Sequence, residues 1–546
     1  MGKLTVKMLG PMGKALQLSM SNRLKTVDYD LLVQPFKLRN ETDNAWRCEF
    51  WGKIVRSAIL TNYYCQDKKL AEMIEKTVRD IMATQSANGC ISSYPQEKQL
   101  NEWWDIWGRK YVILGLLRYY DLIEAKKEVK ECCCHVLDHL MTQVGPGKVD
   151  ILDCGQHDGL AASSILGAVV GVYRISGALK YLDFAHYIIK RGCSKKRNIF
   201  DAVLAGVLPA DLGNGKAYEM TSCFQGLAEL NQLTPNAEYQ EICKKYFAVV
   251  RDHEIFITGI GGLKDAVGEF WYNGTKNQTK NDVGGLGETC VTVTWLHYCE
   301  RIMEMTQKQF AVDAAERSFY NALLGAMGQD GTSWVHTNPT PLTGGGYKRP
   351  APDQILGCFK TPYGGNDCCR AQGPEGLALA PRFAVRKLGD AIALNLFEPL
   401  DAELDDIKME VRGNYPYKPE AVVKIVSKNV FNLLIRTPEF LKKVQLNGKN
   451  IPFDSGKYLE ISRAWKDTDK LELLFDFSLQ EIPSPAGDGY VAVMRGPLVL
   501  ATDSRGAALP APICEKWHER TLVDYATAGN EMTPKNTLAV WLKKEQ

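Results

Sequence analysis

The chain of 546 residues is too long for one ordinary hydrophobic core, so two or more domains are expected. Its 45% apolar and 24% charged content is that of a water-soluble globular protein. With 66 basic against 64 acidic residues the net charge is +2, and no basic block offers a surface for nucleic acid. No run approaches the ~18 apolar residues of a membrane span. Residues 1–7 lack the charged-then-apolar order of a secretory leader. The chain as it stands reads as cytoplasmic, and one whose leader had been cleaved in the periplasm would read the same. The sixteen cysteines are scattered, which does not fit a small disulfide scaffold. For any single one the plain expectation is a buried thiol. Cys132-Cys133-Cys134, inside a helical pattern, shows that adjacency of thiols does not by itself make a site.

In chain order, residues 1–44 have no clear period and are expected to add a strand or a lid to a neighbouring domain. Over 45–388 the pattern is helical and repeats as an apolar first helix, an aromatic-rich turn, and a more polar second helix. The first helices are expected to begin near Ala45, Trp104, Gly159, Ala217, Gly287 and Pro374. Helix pairs that cannot bury their own apolar faces must stack, and six of them with an apolar inner ring predict a closed (α/α)6 barrel. The long non-helical insertions 92–103, 145–158, 193–216, 254–286 and 325–373 all precede first helices. Parallel inner helices would therefore collect these loops at one mouth, where a rigid scaffold usually carries its site. From 389 to 546 the pattern changes to alternation, as in residues 391–396, 421–426, 431–436 and 471–477, with Asn447-Gly448 as a hairpin turn. This predicts a jelly-roll-like β-sandwich. Residues from about 503 onward carry no assignable pattern.

Two segments carry chemistry. Gly287-Glu288-Thr289-Cys290 places a carboxylate two residues from a thiol. On a regular helix that spacing splays them by ~200°, so they can share a ligand only in extended chain or at a helix start. Asp367-Cys368-Cys369 places two thiols side by side after the flexible Gly364-Gly365 and before the helix expected at Pro374. Three thiols and a carboxylate form a soft, zinc-like set whose spacing matches no zinc finger. On spacing alone, buried thiols and redox chemistry stay open beside a metal.

Gly268-Glu269, Glu288-Thr289-Cys290, Asp367-Cys368-Cys369 and the late Met494-Arg495-Gly496-Pro497-Leu498-Val499 together resemble glycoside hydrolase family 127, the β-L-arabinofuranosidase family. The order of barrel and β-sandwich resembles it as well. The resemblance implies zinc held by Glu288, Cys290, Cys368 and Cys369. It also implies Cys368 as nucleophile and Glu269 as acid and then base, giving retention. Asp265 is the rival acid. The implied substrate is a β-L-arabinofuranoside of plant cell-wall oligosaccharides, cleaved from one end.

Trp103, Trp104, Trp107 and Trp271 are placed where an indole could stack on a sugar, and His157 matches a family histidine. Family members carry further histidines where this chain has Trp104 to Tyr111 and Ala217-Tyr218-Glu219-Met220, so Tyr218 and Glu219 become candidate sugar contacts. Arg109 and Lys110 could instead face an acidic sugar such as aceric acid. Two other readings weigh against the hydrolase: a thiol-independent glucuronyl hydrolase or lyase on the same barrel, and a non-catalytic zinc or carbohydrate-binding protein.

Overall fold

The computed structural model describes residues 4–42, 46–100, 104–262, 268–280, 284–343, 367–529 and 537–543. Trp103, Asp265 and Gly364-Gly365 lie outside the described residues.

Six helices form an inner ring: α1 (Phe50–Cys65), α2 (Asp105–Leu122), α3 (Leu166–Ser176), α4 (Ala217–Leu233), α5 (Thr289–Thr306) and α6 (Cys368–Ala384). Each packs on the next, and α6 returns to α1, which closes an (α/α)6 barrel. Burial explains the sequence pattern. In α1 every residue from Phe50 to Asn62 is buried, so the helix is apolar nearly all round, with Lys53 and Arg56 as exceptions. The outer helix Lys68–Met82 is amphipathic, burying Leu70, Ile74, Val78 and Ile81, and starts at Asp67, whose side chain accepts from the Leu70 amide. Close approach needs glycine at Gly52, where a Cβ would lie 2.2 Å from the Tyr111 carbonyl oxygen and push α1 off α2.

The last inner helix begins at Cys368, six residues before the expected start at Pro374. Proline marks a helix start only when its missing N–H would have been free anyway. Here Pro374 sits in the second turn, and the Arg370 carbonyl it leaves unbonded within the helix accepts from Arg23 Nε at 3.3 Å. The cysteine pair therefore lies within the first turn, ahead of all the bulk of α6.

Strand Thr5–Met8 pairs antiparallel with Leu400–Leu404, and helix Pro11–Ser19 packs on α6, so the first residues join barrel to sheets. Beyond α6 one sheet of seven strands and one of four bury alternate residues, among them Val423, Ile425, Leu471, Leu473, Leu433 and Ile435. Asn447 and Gly448 both have positive φ and form the hairpin turn between Leu441–Leu446 and Lys449–Asn450. The stretch without a sequence pattern belongs to a third sheet. Cys514–Trp517 pairs with Arg520–Asp524, and Leu542–Lys543 returns to pair with Tyr490–Arg495. This sheet braces the barrel's mouth: Tyr525 Oη donates to the Pro339 carbonyl at 2.7 Å and the Val540 amide to that of Pro341 at 2.8 Å.

Candidate active site

The N-termini of the inner helices share one mouth, and their first turns carry the reactive groups. Leu286–Glu288 is a short strand paired with Thr337–Pro339, Glu288 opposite Thr337. Glu288 ends that strand as the N-cap of α5, and Cys290 is the second residue of the helix. Both side chains reach the wall of one pocket, but Cys290 lies outside the group of mutually close donor atoms around Glu288 and touches it through Cys369, 3.5 Å away. Across from them Asp367 caps α6, accepting from the Cys369 and Arg370 amides at 2.8 and 3.0 Å. Cys368 Sγ lies 3.6 Å from Glu288 Oε1 and 3.7 Å from Cys369 Sγ. Cys369 Sγ lies 3.7 Å from Glu288 Oε1 and 3.5 Å from Cys290 Sγ. His336, just ahead of the strand opposite Glu288, brings Nδ1 to 3.6 Å from Cys369 and 3.9 Å from Cys368.

These spacings fit a metal. Bonds of about 2.3 Å in tetrahedral geometry put donor atoms about 3.7 Å apart, whereas a disulfide would need about 2.05 Å. Glu288, His336, Cys368 and Cys369 form a group whose ligand atoms all lie within 4.8 Å of one another and that could hold an ion. Sequence reasoning missed His336. Only a three-residue strand pairing brings it to Glu288, too short to leave an alternating signature.

The electrostatics show a site short of positive charge. Burial, Glu269 and Cys368 push Glu288 well above the usual carboxylate range. The hydrogen bond with Cys290, together with burial, pushes the Cys368 thiol up to about 12, and burial with the neighbouring thiols raises Cys369 well above an ordinary thiol. Against burial, hydrogen bonds from Cys368 and Cys369 and the charge of Lys53, Nζ 4.0 Å away, hold Cys290 below an ordinary thiol. Lys53 is buried and paired with Glu49 at 2.9 Å. Glu269 faces the cluster from its own loop. Burial opposes its charge, but Lys216 and His336 hold it down to about 2, with Lys216 Nζ ion-paired to Oε2 and His336 Nε2 at 3.3 Å from Oε1. The loop is pinned to the ligand strand because the Glu288 amide donates to the Gly268 carbonyl at 3.2 Å. Gly268 has φ +67°, and a Cβ there would lie 2.7 Å from the Leu286 carbonyl oxygen.

Residues 14–382 match the family model for the beta-L-arabinofuranosidase, GH127 catalytic domain, and 391–477 match the GH127 middle domain. The chain belongs to glycoside hydrolase family 127. It is similar to the non-reducing end beta-L-arabinofuranosidase of Bifidobacterium longum, 20% identical over 492 residues, covering 81% of this chain and 73% of that one. Its fold resembles the crystal structure of a GH127 beta-L-arabinofuranosidase from Geobacillus stearothermophilus T6, with TM-score 0.76, 17% identity, and coverage of 99% and 100% of the two chains. A second GH127 beta-arabinofuranosidase structure has TM-score 0.76 at 19% identity, covering 99% and 97%. As a family 127 member the chain is a glycoside hydrolase.

Among its described residues, this family 127 hydrolase has a pocket of about 170 Å³ in front of the cysteines. Glu269, Glu288, Cys290 and Cys368 line it, and so do Trp104, His157, Tyr218 and Glu219. Trp104 packs edge-on against Trp107 and His157, with ring centroids 5.6 and 6.1 Å away. Three of the expected sugar contacts lie elsewhere, among them Lys110, which is buried with Nζ 3.0 Å from Ser164 Oγ. Trp271 is buried in the barrel wall, its indole N–H donating to Tyr246 Oη at 3.1 Å. Arg109 is fully buried and held by Asp105 at 2.8 Å, Gln99 at 3.0 Å and Gln143 at 3.0 Å. Its place on α2 turns it toward the outer helix Lys127–Gln143, away from the barrel axis. Glu49, Lys53, Lys216 and Phe270 line the pocket without having been expected there. The signal for the first two was present as Glu49 and Lys53 one turn apart in an otherwise apolar run. The Cys132–Cys134 run lies on that same outer helix, with Cys132 and Cys133 buried as plain core thiols.

Proposed function

We propose that this protein is a retaining exo-acting β-L-arabinofuranosidase with Cys368 as nucleophile and Glu269 as acid and base. The observation that carries it is the meeting of Cys368, Cys369 and Glu288 at 3.6–3.7 Å contacts, with Cys290 3.5 Å from Cys369. Glu269 is tied to the same strand through the Gly268 carbonyl. Glu288, Cys290, Cys368 and Cys369 would hold zinc, a soft sulfur-rich set suited to it, and His336 stands within reach of the same position. Bound there, zinc would keep the thiols deprotonated and neutralise the crowded carboxylates.

Cys368 Sγ attacks the anomeric carbon as the glycosidic C–O bond breaks, and Glu269 passes to the departing oxygen a proton drawn from His336 Nε2, 3.3 Å away. Glu269, held ionised by Lys216 and His336, then takes a proton from water. That water's oxygen displaces Cys368, the C–S bond breaks, and the configuration is retained. The small pocket suits one terminal sugar. A neutral glycon is favoured over an acidic one, because Lys53 and Lys216 are each already paired with a glutamate and Arg109 is locked in the wall.

Activity on aryl and oligosaccharide β-L-arabinofuranosides, with metal analysis of each variant, tests this reading. Glu269→Gln should lower kcat about 10²- to 10⁴-fold with metal content unchanged. Cys368→Ser should abolish turnover. Full activity in Cys368→Ser would reject the mechanism.

A further inference from the structure

Glu219 is a buried carboxylate to which, among the described residues, no donor is bonded. It sits in the first turn of α4, 2% exposed, on the wall of the catalytic pocket. Among the described residues none donates to either of its oxygens. His157 Nε2 faces it 3.9 Å from Oε1, beyond hydrogen-bonding range, and burial holds that imidazole below its ordinary pKa. His157 is itself fixed from the other side, its Nδ1 3.2 Å from Asn214 Nδ2. Two other pocket glutamates are paired with cations. Glu49 accepts from the Trp107 indole at 2.6 Å and pairs with Lys53, and Glu269 pairs with Lys216 and His336. A buried ionisable group left this way is costly, and native proteins retain such groups chiefly where a ligand completes them.

We propose that Glu219 is a specificity-determining residue that accepts a hydrogen bond from a ring hydroxyl of the terminal sugar. It holds that ring against Trp104 and His157 while Cys368 approaches the anomeric carbon. The ligand chemistry follows from the charge: an acceptor-only carboxylate needs an O–H donor and repels a carboxylated sugar at that edge. This inference rests on the hydrolase reading for its kinetics, but its binding test stands apart from it.

The kinetic test compares an aryl β-L-arabinofuranoside with its 2-, 3- and 5-deoxy analogues. In the natural protein one deoxy analogue should lose about 10- to 100-fold in kcat/KM, mostly through KM. In Glu219→Ala that discrimination should vanish, and Glu219→Gln should keep part of it. Undiminished discrimination in Glu219→Ala overturns the proposal. The binding test uses calorimetry with free L-arabinose, so it does not depend on turnover by Cys368. The natural protein should bind and Glu219→Ala should bind at least tenfold more weakly; equal binding, or none by either, overturns the role of Glu219. Thermal unfolding distinguishes misfolding from loss of recognition. A Glu219→Ala protein that unfolds cooperatively like the natural one and binds more weakly supports the assignment.

Discussion

Lys110 shows how a single buried charge shapes this barrel. It lies just below the pocket floor, its Nζ 3.0 Å from Ser164 Oγ and 4.2 Å from the centre of the Trp107 ring. Burial, reinforced by the nearby Lys53 and Arg56, lowers its pKa to about 7, although Cys223 and Glu219 pull the other way. The ring of Trp107 and the Ser164 hydroxyl offset only part of the lost hydration. For a lysine with a depressed folded-state pKa, the unfolded chain binds more protons between about 7 and the ordinary value near 10.5. The penalty is thus full below about pH 7 and is relieved as pH rises through that window. Lys110→Met should therefore stabilise the protein by roughly 2 kcal/mol or more at pH 6. The gain should shrink toward pH 10, as read from urea unfolding across the pH range. A gain independent of pH would mean that packing, not charge, governs the site.

At the scale of elements, the start of α6 sets the geometry of both thiols. Asp367 caps the helix with two backbone hydrogen bonds, so its side chain orients Cys368 and Cys369. Asp367→Ala should cost about 1 kcal/mol in stability, and by loosening the first turn it should weaken retention of added zinc, the metal proposed for this cluster, against a chelator at least tenfold. Asp367→Asn, an equally good cap, should restore most of both. Unchanged zinc retention in Asp367→Ala would show that the cap does not orient the thiols.

The same helix marks where the sequence was legible. Glu288 and Cys290 could be placed in extended chain or at a helix start because a regular helix would splay them, and the ring of six was readable from the repeat. Pro374 misled, since proline is a start signal unless a tertiary donor, here Arg23, satisfies the carbonyl that it frees. Arg109 misled for a related reason. A charged residue on an inner helix looks functional until its partners Asp105 and Gln99 are known. The approach of His336 to Glu288 arises from two three-residue strands pairing across a long separation, and no local period records it.

At the scale of the whole molecule, the question is what keeps a loop-built mouth rigid across three sheets and a barrel. One answer is the seam between the outer helix Phe310–Arg317 and the β region. Arg436, fully buried after strand Val430–Ile435, reaches Glu316 at 2.6 Å and Asp313 at 2.8 Å, and donates to the Asn395 carbonyl at 2.6 Å. Tyr415 Oη donates to the same Glu316 at 2.7 Å. The helix that carries Glu316 continues through Asn321, whose side chain holds the Pro497 carbonyl and the Val499 amide of the third sheet at 3.0 and 2.8 Å. One helix thus ties the middle and last sheets to the barrel. Removing one partner of such a buried pair leaves an uncompensated charge, which costs more than the pair contributes. Arg436→Met should lower unfolding free energy by about 3–5 kcal/mol, whereas Arg436→Met with Glu316→Leu should recover most of that loss. Turnover at low temperature should stay near that of the natural protein in both, because neither residue approaches the pocket. If the double variant is as unstable as the single one, hydrogen bonds to Tyr415 and Asn395 rather than the charge pair fasten the sheets to the barrel.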